Sequence, residues 1–195
     1  RSTLFPYTTL FRSSYDEQAV CYDMCLRTML QCLKDRKKRT IVIQGGPGTG
    51  KSVLAVNLLV RLINDSLNSA YVTKNSAPRQ AFLTLLTKGQ ANKVVDIGHL
   101  FRSPFGLNQC KGNDYDCLIV DEAHRLNEKS GLFSNLGENQ VKEIINAGKL
   151  SVFFIDKHQR ISLKDYGSVE AIYEFANHFD AEVEHIKLES QFRCN

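Results

Sequence analysis

The eight residues Gly45-Gly-Pro-Gly-Thr-Gly-Lys-Ser52 constrain this chain more than any other stretch in it. They follow Thr40-Ile-Val-Ile-Gln44, an apolar run short enough to be a buried strand, and they open an apolar helical pattern from Lys51 to Asn64. Glycines at this spacing let successive backbone N–H groups turn inward around an anion, and the helix beginning at Lys51 adds the positive end of its dipole. Gly45, Gly46, Pro47, Gly48, Thr49 and Gly50 therefore form a phosphate cradle. Lys51 is placed to reach the β- and γ-phosphates of a nucleotide such as ATP, and the Ser52 hydroxyl to ligate Mg²⁺.

The pattern on either side of this loop selects the architecture. Residues 14–39 read as a helix, with Val20, Met24, Leu26, Leu30 and Leu33 at mixed three- and four-residue steps. Further stretches at Ala70–Thr73, Lys93–Ile97, Cys117–Asp121, Leu150–Asp156 and Glu182–Leu188 read as strands. Helical patterns at Ala77–Thr87, Glu138–Ala147 and Ser168–His178 alternate with them, and 98–116 and 127–137 read as loops. Continuous apolar strands alternating with helices predict an α/β fold, a parallel sheet with helices on both faces. Thr40–Gln44, Cys117–Asp121 and Leu150–Asp156 are expected in its interior.

Two further strand ends carry acids. Cys117-Leu-Ile-Val-Asp-Glu-Ala-His124 ends a strand that we expect beside the glycine-loop strand, which makes Asp121 the Walker B carboxylate that shares Mg²⁺ with Ser52. Glu122 is placed to take a proton from an attacking water as general base. Phe153-Phe-Ile-Asp156-Lys-His-Gln159 ends another strand with an acid and then an amide; Gln159 is a candidate for orienting the water or sensing the γ-phosphate.

Composition excludes several alternatives. Hydrophobic residues make up 43% and charged residues 24% of 195, a globular balance with enough apolar material for a core. No run of eighteen apolar residues occurs, so no membrane span is expected. The net charge of +4 permits a nucleic-acid partner without requiring one. The basic run Lys34–Arg39 reads as a solvated helix end rather than a phosphate contact. Six cysteines form no C-x-x-C pair; Cys21, Cys25 and Cys32 fall on one helix face as apolar packing, in keeping with a reducing cytoplasm. The five histidines lack metal-hydrolase spacing. Residues 1–13 resemble the translation of a synthetic sequencing adaptor and are set apart from the fold. The remaining 14–195 read as one domain of a longer protein, because Cys194-Asn195 carries no helix-end or turn signal.

Taken together, Gly45–Ser52, Asp121-Glu-Ala-His124, Asp156-x-x-Gln159 and Leu188-Glu-Ser-Gln-Phe-Arg193 run in the order of superfamily 1 helicase motifs I to IV. The chain most resembles the bacterial ATPases related to the Schlafen helicase-like domain, over roughly 15–195. That resemblance implies a first RecA-like P-loop NTPase domain, with ATP and Mg²⁺ as cofactors and single-stranded DNA or RNA as partner. A second RecA-like domain of the same protein, carrying motifs V and VI, is implied as well. It further implies that Arg193 reaches the γ-phosphate and that Gln18 reads adenine. Thr73-Lys-Asn75 falls where motif Ia contacts a nucleic-acid backbone, and equally fits a capped strand-to-helix turn. An AAA-type or Schlafen-like ATPase switch without unwinding is the alternative function.

Overall fold

The computed structural model describes residues 15–75, 99–129, 136–156 and 167–189. Six strands form one sheet: β1 (Arg39–Gly45), β2 (Ser69–Val72), β3 (Phe101–Arg102), β4 (Tyr115–Val120), β5 (Gly148–Ile155) and β6 (Glu182–Leu188). Their order is β3-β2-β4-β5-β1-β6, and every neighbouring pair runs parallel. Four α-helices accompany them among the described residues: α1 (Tyr15–Asp35), α2 (Lys51–Asn64), α3 (Gln140–Ala147) and α4 (Val169–His178).

The sheet divides the core by residue parity. Ile41, Ile43, Cys117, Ile119, Leu150, Val152 and Phe154 pack with α1 and α2. Their neighbours Val42, Leu118, Val120, Phe153 and Ile155 pack with α3 and α4. Successive strand side chains point to opposite faces, so a strand buried on both must be apolar throughout. This is why β1, β4 and β5 appear as unbroken apolar runs. All three lie in the interior of the sheet, as expected from the sequence.

Several expectations need correction. The stretch 98–116 is not all loop: it holds β3, a 3-10 turn at Leu107–Gln109 and the start of β4. Two residues are too few to show periodicity, and β3 is secured by Phe101 packing its ring 5.6 Å from that of Tyr71. The helix Ala77–Thr87 and the strand Lys93–Ile97 lie outside the described residues. In α1 Cys21, Cys25 and Cys32 pack inward on one face as expected, together with Thr28 and Met29, whereas Val20 and Leu30 of the expected helical pattern are 63% and 66% exposed. A mixed three- and four-residue spacing fits more than one helix face; contact with the sheet chose the cysteine face.

The basic run also differs from expectation, because its last two residues are structural. α1 ends at Asp35, whose carboxylate accepts two hydrogen bonds from the buried Arg39, at 2.9 and 2.6 Å. Arg39 Nε donates to Glu182 on β6 at 2.9 Å, tying α1, β1 and β6 together. Lys38 Nζ donates to the carbonyls of Ile145 (2.7 Å), Asn146 (3.0 Å) and Gly148 (2.6 Å), where α3 runs directly into β5. These carbonyls have no helical N–H to accept from, and one ammonium satisfies all three. Lys38→Met should therefore destabilise the fold by about 2–3 kcal/mol, since the apolar stem is kept but charged hydrogen bonds are lost. Denaturant unfolding measures this; an unchanged midpoint would contradict the role.

Candidate functional site

In a parallel sheet covered on both faces, polar chemistry collects where the strands end. β4, β5 and β1 are consecutive in the sheet, and their carboxyl ends deliver Asp121, Asp156 and the glycine loop to one edge. The strand order departs from the one expected from the sequence. The Asp121 strand is not beside the glycine-loop strand, because β5 lies between β1 and β4. Asp121 still meets the loop: α2 starts across the intervening strand, and Ser52 Oγ donates to Asp121 Oδ2 at 2.7 Å.

The loop's geometry follows from its glycines at two positions in particular. Gly48 and Gly50 have φ of 76° and 79°, the left-handed region open to glycine and costly for other residues. Gly50 precedes α2 without a side-chain cap, and the cleft of about 350 Å³ beside it is lined by 47–53 together with Asp121, Glu122, His124 and Asp156. Lys51 Nζ donates to the carbonyls of Gly45 (2.8 Å) and Gly46 (2.6 Å) and lies 3.7 Å from Asp156 Oδ2. Burial pulls the Lys51 pKa down, while the Asp156 and Asp121 charges oppose that shift. Thr49 Oγ1 donates to the Gly46 carbonyl at 2.9 Å, closing the loop on itself. Gln18 is brought to the same place: its Nε2 donates to the Thr49 carbonyl at 2.5 Å.

The acidic wall is equally ordered. Asp121 Oδ1 accepts the Glu122 N–H at 3.0 Å, and Oδ2 accepts the Tyr71 hydroxyl at 2.5 Å. Burial, reinforced by the Asp121 charge, pushes the Tyr71 pKa far above its ordinary value, so the phenol is a donor. Glu122 adopts a left-handed backbone, φ 51°, unusual for a non-glycine and common at sites where strain serves chemistry. Its carboxylate lies 3.6 Å from Arg125 Nη1. Burial raises the Glu122 pKa, with Arg125 opposing, and a raised carboxylate pKa suits a group that must accept a proton. His124 is buried; its Nδ1 accepts the Asp156 N–H at 3.4 Å and links the Asp121 turn to the end of β5.

The structure thus gathers residues 47–52, Asp121 and Glu122 around one cleft, with Gln18 bonded to the Thr49 carbonyl of the loop. Gln159 and Arg193 lie outside the described residues. At Thr73–Asn75 the geometry favours the turn: Thr73 is buried and its Oγ1 accepts the Asn75 N–H at 3.2 Å. Lys74 Nζ donates to the Arg125 carbonyl at 2.5 Å and to Asn127 Oδ1 at 2.8 Å. Two site residues were not singled out from the sequence. Asp156 was visible as an acid at a strand end, but its approach to Lys51 needs β5 to be next to β1. Tyr71 had no signal, since a tyrosine within an apolar strand reads as core. The Ser52 hydroxyl and the Asp121 carboxylate are both oxygen donors, a pair that would fit a hard divalent cation better than a soft one.

Residues 38–195 match the family described as Schlafen group 3, DNA/RNA helicase domain. Among solved structures, the helicase domain of Pyrococcus furiosus Hef is 14% identical, over 87% of this chain and 37% of that one, with a TM-score of 0.46. Candida albicans Pif1 helicase is 15% identical, over 91% and 40%, with a TM-score of 0.45. AMPPCP-bound DnaA from Aquifex aeolicus is 17% identical, over 95% and 51%, with a TM-score of 0.44. The chain spans 37 to 51% of the length of these structures.

The approach to α4 tests how tightly the acidic wall is packed. A Cβ on Gly167 would stand 1.6 Å from the Ala123 carbonyl oxygen and 2.6 Å from its carbon, backbone atoms that no rotamer change can move. Gly167→Ala should cost about 1–3 kcal/mol or more by overpacking. A thermal-unfolding comparison reads it directly, and a variant as stable as the parent would disprove the contact.

Proposed function

The chain belongs to the family of Schlafen group 3 DNA/RNA helicase domains, and from that premise we propose that it binds and hydrolyses Mg-ATP as a superfamily 1-type motor domain acting on single-stranded nucleic acid. The observation that carries this reading is the 2.7 Å hydrogen bond from Ser52 to Asp121, made across β5 with Lys51 and Glu122 lining the same cleft. Phosphate charge, a divalent cation and a proton acceptor are provided for within a single space.

Each residue then has a defined task. Residues 45–50, apart from Pro47, which has no N–H, turn backbone donors toward the phosphates, and Lys51 exchanges its loop carbonyls and Asp156 for the β- and γ-phosphates. Ser52 and Asp121 would hold Mg²⁺, the Walker B role falling to Asp121, and the bound cation would offset the negative charge of the nucleotide's phosphates. Glu122 leaves Arg125 and takes a proton from the attacking water. Gln159 orients that water, Arg193 reaches the γ-phosphate, and Gln18, whose amide pairs a donor with an acceptor, reads the adenine edge. Strand separation needs two bodies that close on nucleotide and reopen after hydrolysis, so unwinding is assigned to this domain together with a second RecA-like domain. A cytoplasmic setting accords with the five free thiols among the described residues.

One observation favours the alternative, an ATPase switch without unwinding. Lys74, the motif Ia cation, is engaged by Arg125 and Asn127 beside the acidic wall, an arrangement that suits internal signalling better than nucleic-acid contact. ATPase rates with and without single-stranded DNA or RNA separate the two: stimulation supports the motor, and an indifferent rate supports the switch.

Substitutions test the chemistry. Lys51→Ala should abolish Mg-ATP binding or turnover, since the cation that meets the phosphates is lost; undiminished turnover would refute the assignment. Glu122→Gln should still bind ATP while turnover falls roughly a hundredfold or more, because an amide cannot take the proton. Equilibrium binding beside single-turnover hydrolysis checks both halves, and loss of binding would make Glu122 a structural group instead.

A further inference from the structure

Tyr71 lies in the middle of a core strand, fully buried, with its backbone paired to Ile119 of β4 and its ring against Phe101. A phenylalanine would fill that place as well for packing purposes. The hydroxyl needs a polar partner in an apolar surrounding, and it finds Asp121 Oδ2 at 2.5 Å. The same oxygen accepts from Ser52 Oγ at 2.7 Å, and the other carboxylate oxygen accepts the Glu122 N–H at 3.0 Å. Three donors from three separate segments therefore fix one carboxylate. Two of these come from residues that have other work at the site. Tyr71 alone has no other task in the reaction.

We propose that Tyr71 is a positioning residue for the divalent cation: its hydroxyl fixes the orientation of the Asp121 carboxylate, and so sets the affinity of the nucleotide-bound site for Mg²⁺. The inference rests on the assignment of Asp121 and Ser52 as the metal-holding pair. A carboxylate free to rotate must lose that freedom when the cation arrives, whereas one already held by a buried phenol binds without that cost. A serine hydroxyl can give a lone pair to the cation and keep its proton on the carboxylate. Tyr71 has no such double duty, because its ring is held in the core behind the site. It acts on the metal through the groups its hydroxyl touches, Asp121 first and Ser52 beside it.

Tyr71→Phe removes one oxygen and keeps the ring. In the full chain, Mn²⁺ binding is followed by electron paramagnetic resonance with a saturating non-hydrolysable ATP analogue, and analogue binding is measured separately in EDTA. The half-saturating Mn²⁺ concentration should rise roughly 10- to 100-fold, as for other groups that orient metal ligands, while metal-free analogue binding stays unchanged. A wild-type Mn²⁺ titration in Tyr71→Phe would overturn the inference. Weakened analogue binding in EDTA would overturn it too, because the tyrosine would then hold the fold rather than the metal site. Asp121→Asn separates the two layers of the argument. If it weakens Mn²⁺ binding and Tyr71→Phe does not, only the positioning role fails; if neither does, the assignment of Asp121 fails with it.

Discussion

Covering both faces of a parallel sheet with helices leaves its interior strands β4, β5 and β1 little exposed face on which to carry polar side chains, and this constraint organises the rest of the molecule. Ile41, Ile43, Ile119, Val152 and Phe154 are committed to one side, Val42, Val120, Phe153 and Ile155 to the other. Acids and turns can appear only after the apolar runs finish. Three adjacent strands finish at the same edge, so Gly45, Asp121 and Asp156 become neighbours although up to 111 residues separate them in sequence. The cleft is a consequence of how the sheet is buried.

Placement of β5 between β1 and β4 then decides how charge is shared there. A lysine half-buried among glycines would be costly without partners, because burial disfavours its charged form. Loop carbonyls and Asp156 supply those partners in the structure as it stands. Phosphates presented to the same ammonium would compete with weak, replaceable contacts and not with a tight bidentate pair. On the other wall, Asp121 is over-held by Tyr71, Ser52 and the Glu122 N–H, while among the described residues the Glu122 carboxylate faces only Arg125, at 3.6 Å. A carboxylate held on three sides beside one held loosely would suit the division of labour that the proposed phosphoryl transfer requires.

The sequence was readable where a pattern is local. The loop Gly45–Ser52 needs only its own glycines and the flanking apolar runs, and α2 begins at Lys51 as the sequence predicts. Ser168 caps α4 by accepting the Ala171 N–H at 3.2 Å, the kind of signal a helix start carries in its own residues. Reading failed where partners are distant. The helical spacing of α1 is compatible with a leucine face or a cysteine face, and Thr28 bonding to Glu184 across 156 residues belongs to the face that was chosen. Lys38 and Arg39 looked like the solvated end of a basic helix, yet they are bound by α3, β5, α1 and β6.

By itself, then, the sequence determined the parallel α/β class, the glycine-rich loop before α2 and the acids that end β4 and β5, because each depends on periodicity or on backbone freedom within a few residues. Tertiary structure alone decided strand order, and with it three things: that β5 separates the glycine-loop strand from Asp121, that Asp156 reaches Lys51, and that a core tyrosine holds the Asp121 carboxylate. The physical reason is that hydrogen bonds between strands are made by backbone groups identical in every residue. Which strands become neighbours is settled by burial of the whole sheet, and no short stretch of side chains records it.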